Sequence, residues 1–259
     1  MPRLAANLTM MFTDVPFLDR FAAAAASGFK AVEFLAPYDF PAADVADRAR
    51  DAGVEVVLFN CPPGDWAGGE RGHGALPDRI EDCRRGIDTA LEYALALGCP
   101  RLHLMAGRPL PGAAHEAAFD TMVANVAYAA DAAAPHGIAI MLEPINTRVD
   151  IPGYFYATCA EALAVADAAG RDNVKLQYDI YHMQIMEGDI ARSIERHLPR
   201  IGHIQLADNP GRHEPGTGEI AFGWLLPWLD TVGYQGWVGC EYAPAAGTTQ
   251  GLGWAAPYL

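Results

Sequence analysis

The chain has 259 residues, 18 Lys and Arg against 32 Asp and Glu for a net charge of −14, and 51% apolar residues with 19% charged. That is long enough to bury a large core and too apolar for a disordered chain. The acidic balance excludes a nucleic-acid partner, because counterion release from phosphates requires clustered Lys and Arg. The stretch from Met1 to Phe12 is broken by Arg3, Asn7 and Thr9 and lacks the apolar block of a signal peptide. The uncharged stretch from Tyr242 to Leu259 carries Pro, Gly, Thr and Gln, which a spanning helix does not tolerate. These features predict a cytoplasmic protein with no membrane attachment. Cys61, Cys83, Cys99, Cys159 and Cys240 form an odd set without CxxC spacing, which suits small buried hydrophobes in a reducing compartment.

Short apolar strands alternate with amphipathic helices along the whole chain. Strands are expected to start near Leu4, Ala31, Val54, Arg101, Ile138, Val174, Ile201 and Gly236, each rich in Val, Ile, Leu or Phe. Between them, Val15–Ser27 before Gly28 and Pro41–Ala52 before Gly53 read as helices, and Gly98 and Gly137 close two more as left-handed C-caps. The strand starts recur about every 33 residues, the length of one βα unit. No linker or composition shift divides the sequence. The expected fold is therefore a (β/α)8 TIM barrel occupying residues 1–259 as a single domain. An open doubly wound sheet is the alternative, and the lack of GxGxxG after the first strand counts against a dinucleotide fold.

In a (β/α)8 barrel the chemistry sits where strands end. The fifth strand runs into Glu143 before Pro144, the sixth ends on Asp179, the seventh on Gln205 and the eighth on Glu241. One strand-end acid has an ordinary explanation as a helix cap. Four successive strands, about 4.8 Å apart, bring their side chains to one pocket where like charges repel unless a cation is present. A set of three carboxylates and an amide favours a hard divalent ion such as Mg²⁺ or Mn²⁺ over zinc.

His182, three residues after Asp179, would lean over the same pocket; His203 reads as a satisfied core histidine, and His103 in the fourth strand is divided between the two roles. The seventh loop, 208–219, is rich in Gly and Pro and carries Arg212. The third loop, 60–74, is long for a βα connection and carries Trp66 and Arg71.

The Glu143, Asp179, Gln205, Glu241 set, the Asp179-x-x-His182 element and Pro210-Gly-Arg-His-Glu-Pro-Gly-Thr-Gly-Glu-Ile220 resemble the hydroxypyruvate isomerase family of the xylose-isomerase-like barrels. So do Phe12-Thr-Asp-Val-Pro-Phe-Leu-Asp-Arg20, Glu33-Phe-Leu-Ala-Pro-Tyr-Asp39 and Leu58-Phe-Asn-Cys-Pro-Pro-Gly-Asp-Trp66, so the resemblance spans the chain. It implies that Glu143 and Glu241 are both metal ligands and proton carriers, with Asp179 and Gln205 completing the site. Related ketose 3-epimerases place His where this chain has Gln205 and a further Glu in the region of Thr147–Asp150, which argues against epimerisation. Close relatives isomerise 2-oxo-tetronates.

The expected reaction converts hydroxypyruvate to tartronate semialdehyde through an enediolate, with one Glu removing a carbon-bound proton and the other returning one. The substrate is a small sugar acid whose carboxylate needs a cation. Arg212, Arg71, Arg108 and Arg148 all fall in loops on the catalytic face, and Arg212 is favoured by its motif. A Schiff-base aldolase is disfavoured because Lys30 and Lys175, the two lysines, sit near strand beginnings. An endonuclease would need a multi-zinc cluster and a basic face. A 2-oxo-tetronate isomerase, a ketose 3-epimerase and a sugar dehydratase of the same superfamily are the alternatives, with a noncatalytic binder of sugar acids last. Barrels of this group are often homo-oligomers.

Overall fold

The computed structural model describes residues 1–110, 112 and 114–259. Eight parallel strands close in sequence order into a barrel: β1 (Arg3–Asn7), β2 (Ala31–Phe34), β3 (Glu55–Asn60), β4 (Arg101–His103), β5 (Ala139–Leu142), β6 (Val174–Asp179), β7 (Ile201–Leu206) and β8 (Trp237–Cys240). All eight expected strands are present, three of them beginning one residue later than expected. The helices are α1 (Arg20–Ala26), α2 (Ala42–Ala52), α3 (Ile80–Leu97), α4 (His115–Ala133), α5 (Cys159–Ala169), α6 (Ile180–Met186), α7 (Ile190–His197), α8 (Phe222–Thr231) and α9 (Thr248–Gly251). No helix among the described residues is long and apolar enough to cross a membrane.

The outer helices follow their apolar spacing. In α3, Cys83, Ile87, Ala90, Leu91 and Ala94 recur at three- and four-residue steps and are the buried positions, while Glu81 and Asp82 face the positive end of the helix dipole. Gly98 then ends the helix in the left-handed conformation, at φ 62°. α5 begins with a capping box in which Thr158 and Glu161 satisfy each other's backbone N–H.

The first helix departs from expectation: a 3-10 turn, Phe17–Asp19, precedes α1, and regular helix begins only at Arg20. The reason is local. Arg20 donates to the carbonyls of Val15 and Leu8 at 3.0 and 2.7 Å. The Val15 carbonyl is thereby bonded to a side chain, and Pro16 is extended.

The barrel interior is layered. Small and apolar residues fill the lower part, including Ala5, Ala31 and Val57, and Arg101 reaches across from β4 to donate to the Gly202 carbonyl of β7 at 2.9 Å. Above this, where TIM barrels usually continue with branched apolar side chains, Asn7, Glu33, Gln177 and His203 are buried together. The register sets Asp179 beside Gln205 and Gln205 beside Gly239, so the strand ends stand level around the mouth.

Candidate active site and metal centre

A cavity of about 260 Å³ opens at the C-terminal end of the strands, small for a ligand pocket and so suited to a small molecule. Its polar lining includes Asn60, Glu143, His182, Arg212 and Glu241, and Met10, Met105 and Ile151 contribute apolar wall. Asp179 and Gln205 lie just beneath, fully buried.

Glu143 follows the last residue of β5, and Asp179 ends β6 while capping α6. Asp179 has one committed oxygen and one free, and Glu143 has one oxygen facing a histidine and one free. Glu143 Oε2 stands 3.3 Å from His103 Nδ1, which also faces Asn60 Oδ1 at 3.2 Å. Both partners are acceptors, so Nδ1 carries the proton. Asp179 Oδ1 accepts from the backbone N–H of Tyr181 and His182 at 2.7 and 3.3 Å. Glu143 Oε1 and Asp179 Oδ2 are buried with no hydrogen-bond partner, and His182 Nε2 lies 3.7 Å from each.

The protonation of His182 follows from its other neighbour. Asn146 Oδ1 accepts from the backbone N–H of Val149 and Asp150 at 2.9 and 3.0 Å, which identifies the opposite atom of that amide as the nitrogen. This nitrogen stands 2.8 Å from His182 Nδ1, so Nδ1 is the acceptor and Nε2 bears the hydrogen. His182 thus presents a donor to the cavity, and burial, followed by the charge of Arg212 and the neighbouring His103, pushes its pKa well down.

Across the mouth, Glu241 Oε2 accepts from Gln205 Nε2. The same nitrogen donates to Glu33 Oε1 at 2.8 Å, and Gln205 Oε1 accepts from Gln177 Nε2 at 2.6 Å. Glu33 is itself fully satisfied: Asn7 Nδ2 reaches Oε1 at 3.1 Å and His203 Nε2 stands 2.6 Å from Oε2. Gly239 makes room for it, since a Cβ there would fall on the Glu33 carboxylate.

Arg212 joins the two sides. Its guanidinium bonds Asp150 Oδ1 and Glu241 Oε1, each at 2.9 Å, and lies 3.9 Å from Asp179 Oδ2. Its backbone is left-handed at φ 53°, a conformation that costs a non-glycine residue about 1–2 kcal/mol and is held here by the loop. The buried Asp208 carboxylate organises that loop, accepting backbone N–H groups from Asn209, Gly216, Gly218 and Ile220 at 2.9–3.0 Å. The Asp208 carbonyl also accepts from the Arg212 N–H at 2.9 Å. Gly218 is needed because a Cβ would collide with the Asn209 carbonyl.

The electrostatics are those of a site short of positive charge. Burial pushes Glu143 well up, and the charges of Glu241 and Asp179 add to this. Burial likewise raises Asp179 to about 6 and Glu241 to about 8, against the opposing pull of Arg212. Burial works against the Arg212 cation, but Glu241, Asp179, Asp150 and Glu143 outweigh it and its pKa rises. Glu143, Asp179 and His182 form a buried cluster whose nearest ligand-type atoms lie within 4.8 Å of one another. The two unpartnered carboxylate oxygens fit a hard divalent cation; the protonated Nε2 of His182 fits a donor to a bound oxygen better than a ligand.

Of the residues singled out in the sequence, Glu143, Asp179 and His182 meet directly, Gln205 and Glu241 meet each other, and Arg212 links the two groups. Arg71 also lines the cavity; Arg108 and Arg148 bond the Gly69 and Ile185 carbonyls and do not. His203 is buried against Glu33, and His103 lies against Glu143. Glu33, Asn7, Asn60, Asn146 and Asp208 were not singled out. The signal for the first three was the strand-end rule applied to β1–β3, since Asn7 and Asn60 end their strands and Glu33 is the penultimate residue of β2.

The family profile described as xylose isomerase-like TIM barrel matches residues 21–258. The 2-oxo-tetronate isomerase of Pectobacterium atrosepticum is 51% identical over 259 residues, covering 100% of this chain and 98% of that protein. The hydroxypyruvate isomerase of Escherichia coli K12 is 43% identical over 258 residues and covers 100% of both. A crystal structure described as AP endonuclease, family 2, from Brucella melitensis superposes with a TM-score of 0.97 at 50% identity, over 100% of this chain and 99% of that one. With its eight-stranded barrel, its acids at the strand ends and similarity along its full length, the chain belongs to the xylose isomerase-like TIM barrel family and, within it, to the hydroxypyruvate isomerase family.

Proposed function

We propose that the protein is a metal-dependent isomerase of short 2-oxo-3-hydroxy acids, moving a carbonyl from C2 to C3 through an enediolate. The observation that carries this reading is the pair of strand-end glutamates, Glu143 and Glu241, lining one small cavity with raised pKa values. Two carboxyl groups facing one small cavity, both raised by burial, are placed for proton transfer between adjacent carbons. One of the two takes the proton from C3 and the other delivers one to C2. His182 Nε2–H and the Arg212 guanidinium donate to the substrate's oxygens, where negative charge develops.

Glu143, Asp179, Gln205 and Glu241 would hold a divalent cation, Mg²⁺ or Mn²⁺. Once bound, such an ion supplies Lewis-acid stabilisation of the enediolate. The free carboxylate oxygens of Glu143 and Asp179 support this assignment. A small sugar acid is the substrate class. The 2-oxo-tetronate reading comes first because a relative so named is 51% identical, against 43% for one named hydroxypyruvate isomerase. Hydroxypyruvate is the second reading, and the same proton transfer serves both. We place the protein in the cytoplasm, a compartment that suits five free, buried cysteines.

The test is an NMR assay in D₂O of the Mg²⁺- or Mn²⁺-loaded protein against 2-oxo-tetronate, hydroxypyruvate and neutral ketoses. Metal-dependent conversion of an acid, with deuterium entering at C2 or C3, is the expected result. No turnover and no exchange with any of them would overturn the isomerase reading, and loss of water from the substrate would replace it with a dehydratase.

A further inference from the structure

An acid substrate brings its own negative charge into a cavity already lined by carboxylates. Arg212 is poorly placed to receive it. Its guanidinium bonds Asp150 and Glu241 and faces Asp179, so a substrate carboxylate docked there would compete with three protein carboxyl groups for its N–H donors. Arg71 is the other arginine lining the cavity, and its surroundings are different. No carboxylate pairs with it among the described residues. The neighbouring Glu70 is held instead by Arg79 and His73.

The guanidinium is nevertheless fixed in orientation. Nη1 donates to the backbone carbonyls of Trp66 and Glu70 at 3.0 and 2.7 Å, and the Trp66 ring covers one face with its centroid 3.8 Å away. Among the described residues, Nε and Nη2 make no hydrogen bond. That edge is the side of a guanidinium that grips a carboxylate with two parallel bonds. The carrying loop, 61–76, is anchored where Gly74 and Ala75 donate to the Met105 and Ala106 carbonyls and Asn125 donates to the Gly74 carbonyl.

We infer that Arg71 receives the substrate's carboxylate and sets the preference of this cavity for sugar acids over neutral ketoses. The inference rests on the isomerase reading for its substrate class, while the carboxylate grip stands on the geometry of Arg71.

The kinetic test compares 2-oxo-tetronate with its neutral twin erythrulose, in which CH₂OH replaces the carboxylate. Arg71→Gln lowers the ratio of kcat/KM for the acid to that for the ketose by about 30-fold, the size expected for losing a charge-assisted pair. The change falls on KM. Arg71→Lys keeps the charge without the fork and recovers part of the ratio. Calorimetric titration with erythronate, which carries the carboxylate but no ketone, reads the same contact without turnover: Arg71→Gln weakens it by a similar factor and leaves the weak binding of erythritol in place.

If both acids are isomerised and Arg71→Gln keeps the ratio and the erythronate affinity, the assignment of Arg71 is overturned and the isomerase reading stands. Tight, Arg71-dependent erythronate binding without turnover of any acid leaves the assignment standing and removes the isomerase reading.

Discussion

Two buried carboxylate groups lie one above the other in this barrel, and they are finished differently. In the lower one, Glu33 has both oxygens occupied, by Asn7 and Gln205 on one side and His203 on the other. In the upper one, Glu143 and Asp179 each keep an oxygen that is buried and unpartnered. Burying an acceptor without a partner costs about 1–3 kcal/mol, so the fold accepts at the mouth what it avoids a few ångströms below. The lower acid positions the Gln205 amide; the upper acids present oxygens without a protein partner. The number of satisfied oxygens, more than burial itself, separates Glu33 from Glu143 and Asp179; Glu241, whose oxygens accept from Arg212 and Gln205, stands with the upper acids because it lines the cavity.

The largest effect is expected at the upper group. Glu143→Gln and Glu241→Gln each lower turnover by about 10²–10⁴-fold, the range of general acid or base catalysis, with circular dichroism unchanged. Near-normal turnover in either variant would refute the two-carboxylate assignment. The lower group should answer the other way. Glu33→Gln turns an acceptor into a donor facing His203 or Gln205, leaving one buried donor without a partner, and costs about 1–3 kcal/mol of stability in a denaturant titration. Its effect on turnover is smaller than that of Glu143→Gln. If Glu33→Gln silences the enzyme at full stability, the distinction between the two groups fails.

Much of the upper group was legible in the sequence because each of its acids ends a strand or directly follows one, and strand ends in a barrel converge whatever the loops do. Glu143 before Pro144 and Asp179 before the run of α6 are examples. The lower group obeys the same geometry, but Glu33 is followed by an apolar Phe-Leu-Ala run, and only the closed barrel brings it against His203, 170 residues away. Asp208 and Arg71 were less legible for a further reason. Asp208 acts through four backbone N–H groups of its own loop, and Arg71 is distinguished by the partners it lacks, which no spacing encodes. The late start of α1 is of the same kind, set by a side chain bonding the Val15 carbonyl.

The contrast also has a pH signature. Glu241 is raised to about 8 by burial, so the metal-free native state holds a proton that the unfolded chain has already released. The stability this group contributes is then fully present at low pH and is lost as pH rises through 8, by about 1.4 kcal/mol between pH 7 and 9. Glu143 adds in the same direction. Working above pH 7 keeps His103 and His182 out of the balance, since burial holds both neutral in the fold and they are mostly neutral when unfolded. Saturating Mg²⁺ or Mn²⁺ should flatten the slope by binding the ionised carboxylates, with protons released on uptake. The buried thiols, all raised by burial, lower stability over the same range with or without metal. An equal slope of melting temperature from pH 7 to 9 in the metal-free and metal-saturated protein would therefore contradict the raised carboxylates.

A third carboxylate completes the comparison at the small end. Asp131 has both oxygens bonded, by Arg171 Nε and Nη2 at 2.6 and 2.9 Å, yet it lies on the surface. Water solvates either partner when the other is removed, and salt screens the pair. Arg171→Ala should therefore leave turnover unchanged and move the melting temperature less than Glu33→Gln does. A loss equal to that of Glu33→Gln would mean that an occupied oxygen matters equally inside and outside the barrel. A negligible loss would confirm that satisfaction counts because, around Glu33, no water is there to replace a missing partner.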